Sequence, residues 1–198
     1  MNWLARRKTI CLIHCHPSKT SFNASLANRY MTGAKSSGHE IERFDLYDME
    51  FDPILRIGQD GSAQSLETDL QLLRNAIQAS DHLVLIFPLW WFGLPSLLKG
   101  ALDRILSPGW AFKFNGPFTW EKLLKGKSAR IIYTMDSPPM IAKQIIGDPI
   151  KDALKKGTLA FVGFEPVKIT AIGPVKLSNE FLRFVWATEI EKLGRAAS

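Results

Sequence analysis

The sequence lacks several features that mark large classes of proteins. It contains only two cysteines, Cys11 and Cys15, and both are predicted to lie in the first strand. Residues four apart on a strand are too distant to form a disulfide easily, so we expect buried free thiols in a reducing compartment. No apolar run approaches the roughly 20 residues of a membrane-spanning helix, and no signal peptide is predicted. We therefore expect a soluble, cytoplasmic protein that does not insert into a membrane.

Nucleotide-binding fingerprints and clustered positive charge are missing as well. Neither a Gly-x-Gly-x-x-Gly pattern nor a Walker loop occurs, which argues against the usual dinucleotide and ATP sites. The net charge of +6 is modest, and the basic residues are spread along the chain. We expect some preference for anionic ligands, no nucleic-acid binding and no metal site. A short basic run, Arg6 to Lys8, lies in a predicted N-terminal tail of residues 1–8.

The chain does contain a regular alternation of apolar runs and amphipathic segments, from which we expect one domain over residues 1–198. The predicted strands cover residues 9–13, 41–46, 82–87, 129–134 and 167–172. The predicted helices cover residues 22–35, 67–79, 95–106, 149–160 and 178–193, the last with Ser178 as N-cap and Phe181, Val185 and Ile190 on its buried side. Residues 47–66 and 110–127 show no period and are expected to be irregular. The pattern predicts a flavodoxin-like three-layer α/β sandwich around a five-stranded parallel sheet of order 2-1-3-4-5, with the second strand at an edge.

The stretch of residues 82–106 has the most distinctive sequence in the chain. A continuous apolar run, typical of a strand buried on both faces, ends at Pro88. Three adjacent aromatic residues, Trp90, Trp91 and Phe92, follow where a loop leaves the sheet, and an amphipathic helix comes next. The carboxyl ends of parallel strands are the usual ligand sites of open α/β folds, so we expect a flat apolar wall for a ligand here.

Three loops are predicted to meet at this edge of the sheet. They follow the first, third and fourth strands and comprise residues 16–23, 88–93 and 134–137. The first is polar and opens a helix, so its amides and hydroxyl groups suit a phosphate. Together the loops match a ligand with a phosphate at one end and a planar heterocycle at the other. Two simpler alternatives stay open on local sequence: Ser21 only caps the helix, and the aromatic residues serve core or dimer packing.

Longer motifs at these loops resemble a known family. They are His16-Pro-x-x-x-Ser21-Phe22-Asn23, Phe87-Pro88-Leu89-Trp90-Trp91-Phe92-Gly93-Leu94-Pro95, Trp110-Ala111-Phe112, Gly116-Pro117-Phe118 and residues 157–164. This combination is similar to the flavodoxin-like NAD(P)H:quinone oxidoreductases, a group of quinone reductases, modulator-of-drug-activity proteins and ancillary subunits of potassium-efflux systems.

The resemblance implies a flavin that is reduced by NADH or NADPH and reoxidised by a quinone or a similar small acceptor. FMN is favoured over FAD because residues 47–66 look short for an adenine pocket. A homodimer is implied, and the aromatic residues between 110 and 120 suit its interface. The implied cofactor-binding residues are His16, Thr20, Ser21, Phe22 and Asn23 at the phosphate, Pro88, Leu89, Trp90, Trp91 and Phe92 along the isoalloxazine, and Tyr133, Thr134, Met135 and Asp136 at its pyrimidine edge.

Two departures from the family pattern matter for chemistry. The family's fourth-strand loop is often Thr-Thr-Gly-Gly, whereas this chain has Thr134-Met135-Asp136. The carboxylate of Asp136 would disfavour an anionic reduced flavin unless it points away or accepts a hydrogen bond from the oxidised ring. The Tyr and His that follow this loop in well-known quinone reductases are absent from residues 140–146, so we name no acid or base catalyst. The alternative function is a flavin-binding, redox-sensing regulatory subunit of an efflux system.

Overall fold

The computed structural model describes residues 7–57 and 64–198. The predicted N-terminal tail lies outside the described residues except for its last two positions, and so do residues 58–63 of the stretch expected to be irregular. None of the helices formed by the described residues combines the length and apolar composition that a bilayer crossing requires.

Helices and strands alternate along the first half of the chain, whereas successive strands and then successive helices occur in the second half. In order they are β1 (Thr9–His14), α1 (Phe22–Ser36), β2 (Glu40–Asp45), α2 (Thr68–Ala79), β3 (His82–Pro88), α3 (Ser96–Ile105), β4 (Phe112–Gly116), β5 (Thr119–Lys122), β6 (Ser128–Thr134), α4 (Pro139–Ile146), a π-helix (Ile150–Leu159), α5 (Ala160–Val162), β7 (Val167–Ile172) and α6 (Glu180–Ala196). The main sheet is parallel, in the order β2-β1-β3-β6-β7. Because β6 and β7 are its fourth and fifth strands, the predicted order and the edge position of β2 are confirmed.

The sheet is covered on both faces, which explains the continuous apolar runs of its central strands. Every residue of β3 is buried. Its Leu85 and Phe87 belong to the core under α2, α3 and the π-helix, whereas Val84 and Ile86 belong to the core under α1 and α6. The result is the three-layer sandwich of the flavodoxin-like fold.

Helices α1 and α6 approach each other at backbone distance, and two glycines permit this contact. A Cβ atom at Gly33 would lie 2.0 Å from the carbonyl oxygen of Glu191, and one at Gly194 would lie 2.1 Å from that of Tyr30. Any larger residue would force the two helices apart. The close packing fixes the position of α6 relative to the loop that precedes α1.

The prediction that residues 110–127 are irregular is wrong for β4 and β5, which form an antiparallel hairpin. The hairpin lies outside the main sheet, and most of its residues are exposed. It is attached through Trp120, whose ring stacks on Phe161 at 4.6 Å and whose Nε1 donates to the Phe161 carbonyl. Trp110 is covered by the guanidinium of Arg74 at 4.6 Å.

Helix α4 was not expected from the sequence. It begins at Pro139, and proline suits the first turn of a helix because its missing amide would have no acceptor there. The helix expected at residues 149–160 is present, but residues 150–159 form a π-helix. The amide of Ala160 donates to the carbonyl of Lys155, five residues back.

Three smaller expectations are corrected. Cys15 lies one residue beyond the end of β1, although it and Cys11 are buried free thiols as predicted. The N-cap of α6 is Asn179, not Ser178, because the Asn179 side chain accepts the amide of Leu182 at 2.8 Å. Phe181 and Val185 are exposed, and only Ile190 of the predicted buried face lies in the core.

Candidate functional site

Two cavities lie side by side at the carboxyl edge of the sheet. The first, which we call the polar cavity, has a volume of about 400 Å³ and lies between the loop after β1, the ends of β3 and β6, and α6. The second, the lysine-rimmed cavity, has a volume of about 530 Å³ and lies between β3, β6, β7, α4 and the π-helix. Leu89 and Met135 line both cavities, so the two are direct neighbours.

The loop after β1 supplies hydrogen-bond donors to the polar cavity. Ser21 caps α1 by accepting the amide of Ala24 at 3.1 Å. Phe22 and Asn23 are the first two helical residues, so their amides have no acceptor within the helix, and the helix dipole adds partial positive charge there. Ser21 therefore caps the helix, and this capping leaves the amides of Phe22 and Asn23 beside a cavity that both residues line.

His16 adds a neutral donor at the same place. Its Nδ1 accepts the amide of Ser18 at 3.0 Å, so the neutral ring carries its proton on Nε2. Partial burial lowers the pKa of His16 below its usual value, although the bond from Ser18 opposes the shift. The ring is therefore an uncharged N–H donor at neutral pH.

Asn23 connects the first loop to the fourth strand. Its Nδ2 donates to the hydroxyl of Thr134 at 2.8 Å, and both side chains are almost fully buried. Its Oδ1 is also buried, and among the described residues it has no hydrogen-bond partner. A buried acceptor without a partner is costly, so this position favours a ligand that donates to it.

Arg183, on α6, also lines the polar cavity, and the sequence analysis missed it. Its Nε donates to the hydroxyl of Ser178 at 2.9 Å, and its guanidinium lies 5.6 Å from the ring centre of Phe22. These contacts hold a permanent positive charge beside the start of α1. The predicted three-layer sandwich was the one indication of this position of Arg183, because the sandwich places the last helix next to the first.

The aromatic segment after β3 forms a strained turn. Trp90 and Gly93 exchange two backbone hydrogen bonds, at 3.2 and 2.8 Å. The two residues between them, Trp91 and Phe92, have φ values of 51° and 57°. Such turns normally contain Asn and Gly, and each other residue in this conformation costs roughly 1–2 kcal/mol. Strain of this kind concentrates at functional sites.

The loop after β6 is anchored to the loop after β7. The Met135 amide donates to the Ile172 carbonyl, and the Met135 carbonyl accepts the Val175 amide, both at 2.9 Å. The carboxylate of Asp136 accepts the amide of Lys176 at 3.1 Å. The carboxylate of Asp136, which departs from the family pattern, is thus hydrogen-bonded to the protein's own backbone.

The predicted site residues divide into three groups. Most line the polar cavity, namely His16, Ser21, Phe22, Asn23, Pro88, Leu89, Trp90, Thr134, Met135 and Asp136. Phe92 and Tyr133 line the lysine-rimmed cavity, where burial and then the charge of Asp148 raise the pKa of Tyr133. Thr20 and Trp91 line neither; Thr20 bonds to Ser18, and the side chain of Trp91 is fully exposed.

Comparisons with known proteins agree with this architecture. A sequence model of the flavodoxin-like fold family matches residues 8–185. An uncharacterized NAD(P)H oxidoreductase of Haemophilus influenzae is 32% identical over 177 residues, which cover 87% of this chain and 87% of that protein. NAD(P)H dehydrogenase (quinone) 1 of Cavia porcellus is 29% identical over 217 residues, covering 96% of this chain and 78% of that protein.

A solved crystal structure from Streptococcus mutans superimposes with a TM-score of 0.85 and 31% identity, covering 94% of this chain and 98% of that one. Fold, site and relatives lead to one conclusion. The chain is an NAD(P)H oxidoreductase, and it belongs to the flavodoxin-like NAD(P)H:quinone oxidoreductase family.

Proposed function

We propose that the protein is a flavin-dependent oxidoreductase that transfers hydride from NAD(P)H through bound flavin to quinones or similar small acceptors. The observation that carries this proposal is the junction of the two cavities at Leu89 and Met135. There, a cavity lined by phosphate-binding groups meets a cavity with apolar walls. The name of the Cavia porcellus relative supports a quinone as the acceptor.

The polar cavity has a donor set that fits the phosphate and sugar-alcohol parts of FMN. Arg183, the Nε2–H of His16 and the two amides at the start of α1 are the groups that proteins use for phosphate monoesters. The unpartnered Oδ1 of Asn23 would accept a hydroxyl of the polyol chain. None of the described residues 47–57 lines this cavity, which supports FMN rather than FAD.

The ring-binding part would lie where the two cavities meet. Pro88, Leu89 and Trp90 form one wall, and Met135 forms another. FMN, when bound, supplies the hydride chemistry, and the protein's part is to bind and orient it. The bond from the Lys176 amide fixes one oxygen of the Asp136 carboxylate and so orients this side chain at the wall of the cavity.

Reconstitution tests the proposal directly. Protein stripped of small molecules is titrated with FMN and with FAD, and quenching of flavin fluorescence gives the dissociation constants. We expect tighter binding of FMN, bleaching of the visible flavin absorbance by NADPH or NADH without oxygen, and its return on addition of a quinone. Retention of neither flavin would contradict the proposal.

We further propose that the protein acts as a homodimer through the β4–β5 hairpin. Phe118, at its turn, is 92% exposed, and Phe114 is 59% exposed. Large apolar side chains exposed together mark interaction surfaces. Trp120 and Trp110 already pack against residues of the same chain. Phe114 and Phe118 are therefore the aromatic side chains of this region that are free to contact a second copy.

Light scattering measures the expected effect. Phe118→Asp should halve the molar mass of the dimer because it places a charge in an apolar contact. The control, Lys125→Asp, changes an exposed residue just beyond the hairpin and should leave the mass unchanged. A monomeric wild-type protein would contradict the homodimer, and a dimeric Phe118→Asp variant would exclude the hairpin as its interface.

A further inference from the structure

The lysine-rimmed cavity combines an apolar floor with a basic rim. The floor is formed by Leu89, Phe92, Tyr133, Met135, Ile169 and Ala171. The rim carries Lys143 from α4 and both Lys151 and Lys155 from the π-helix. This arrangement fits a flat apolar group that bears a negative charge at one end.

The positive charge of the rim is only partly cancelled by the protein. Asp148 is the single carboxylate among the residues described as lining this cavity, and both of its oxygens are engaged. Oδ1 accepts the backbone amide of Lys151 at 3.1 Å, and Oδ2 lies 3.5 Å from Nζ of Lys143. Within residues 7–57 and 64–198, neither Lys151 nor Lys155 forms an ion pair. Three ammonium groups therefore face one occupied carboxylate.

The backbone that carries Lys151 and Lys155 is itself unusual. A π-helix is rare, and its turns occur frequently at functional sites. Ile150, Leu154 and Leu159 anchor this one in the core. The two lysines are thus presented to the cavity from a fixed support rather than from a loop.

We propose that the lysine-rimmed cavity binds the electron acceptor and selects aromatic acceptors that carry a sulfonate or a carboxylate. The proposal rests on the proposed function, because the acceptor must lie next to the ring held at Leu89 and Met135. The volume of about 530 Å³ suits a small aromatic molecule. The phosphate of NADPH offers similar anionic chemistry, so the test treats donor and acceptor separately.

Turnover with a matched pair of acceptors tests the selection. The ratio of kcat/KM for 1,4-naphthoquinone-2-sulfonate to that for 1,4-naphthoquinone is measured in wild type and in Lys155→Gln. The variant should lower this ratio roughly fivefold, and Lys151→Gln/Lys155→Gln should lower it on the order of 20-fold, with both effects shrinking at high salt.

The control is Lys156→Gln, which removes the same charge from the neighbouring residue. Lys156 is exposed, pairs with Asp152 at 2.8 Å and does not line the cavity, so the ratio should stay at the wild-type value. An equal fall in Lys155→Gln and Lys156→Gln would overturn the proposal. A changed preference for NADPH over NADH, with an unchanged acceptor ratio, would also overturn it and assign the rim to the donor.

Binding without turnover gives an independent readout. Calorimetric titration of the flavin-loaded protein with naphthalene-2-sulfonate, and with the neutral naphthalene-2-sulfonamide, requires no electron transfer. Lys155→Gln should weaken the sulfonate alone, again roughly fivefold. Unchanged sulfonate affinity would contradict the proposal even if turnover with quinones is normal. Failure of NAD(P)H to reduce the flavin would instead contradict the proposed function, and the two failures are therefore distinct.

Discussion

The two edges of the main sheet carry cavities of similar size but of different character. The polar cavity at the carboxyl edge has a volume of about 400 Å³. A cavity at the amino edge, lined among others by His82, Ser128 and Lys168, also has a volume of about 400 Å³. Volume alone therefore does not identify the functional edge.

Several polar groups near the amino edge are bonded to the protein itself. Lys127 donates to the carbonyls of Gln78 and Ser80, each at 2.6 Å, and Nδ1 of His82 lies 2.7 Å from the hydroxyl of Ser128. The Nε2 of His82 is buried without a partner among the described residues, but burial lowers the pKa of this ring to about 3 and keeps it uncharged.

The carboxyl edge is organised in the opposite way. It exposes the guanidinium of Arg183 to the polar cavity, leaves Oδ1 of Asn23 unpartnered and holds Trp91 and Phe92 in a strained turn. The comparison teaches that the groups left for a ligand, rather than the size of a cavity, distinguish a binding edge from a structural one.

The largest expected effect is at the carboxyl edge. Arg183→Gln should weaken FMN binding about ten- to a hundredfold, because a charge-assisted hydrogen bond contributes about 1.5–3 kcal/mol. Riboflavin, which lacks the phosphate, should bind the variant and the wild type equally. Fluorescence titration with both ligands measures the difference.

The matched control for this prediction is Arg195→Gln on the same helix. Arg195 pairs with Glu191 and lies far from the polar cavity, so FMN affinity should not change. Equal loss of FMN and riboflavin binding in Arg183→Gln would show that the substitution disturbs the fold rather than a phosphate contact.

The second effect is at the amino edge and concerns stability. The pKa of His82 is about 3 in the folded protein, below the usual 6.5 of an exposed histidine. Between these values the unfolded chain binds a proton that the folded protein does not, so the free energy of unfolding falls as pH falls. The loss is about 1.4 kcal/mol per pH unit at most.

Urea denaturation of wild type and of His82→Gln, at about pH 7 and about pH 5, measures this contribution. These two pH values lie on either side of the usual pKa of histidine. The variant should lose less stability on acidification than the wild type, while its FMN affinity at neutral pH stays unchanged. An identical pH dependence in both proteins would refute the assignment to His82, and a changed FMN affinity would break the distinction between the two edges.

The smallest expected effect is at the strained turn, where a substitution should raise stability and weaken FMN binding. Trp91→Gly should stabilise the fold by about 1 kcal/mol, because glycine adopts a positive φ without strain. If the indole lies against the isoalloxazine, as the family resemblance implies, the variant should also bind FMN more weakly. Trp91→Leu is the control: it keeps the strain and removes the indole, so only binding should weaken. Unchanged FMN affinity in both variants would assign Trp91 to another role, such as dimer contact.

Much of the fold was accessible from local pattern. The apolar run of β3 indicates a strand covered on both faces because no polar position interrupts it, and the bounds of β7 agree with the prediction. Ser21 marks the start of α1 because its hydroxyl oxygen accepts the amide of Ala24. The loops at the carboxyl edge follow from strand order, since parallel strands end on the same side.

Other features depend on contacts between residues distant in the sequence. Arg183 reaches the polar cavity because α6 packs on α1 through Gly33 and Gly194, and no local motif encodes that contact. The β4–β5 hairpin is attached by Trp120 stacking on Phe161, so its own sequence shows no buried face. The basic rim forms because α4 and the π-helix meet over the ends of β6 and β7. Periodicity reports which face of an element is buried, whereas the assembly of side chains into a site requires the packing of whole elements against one another.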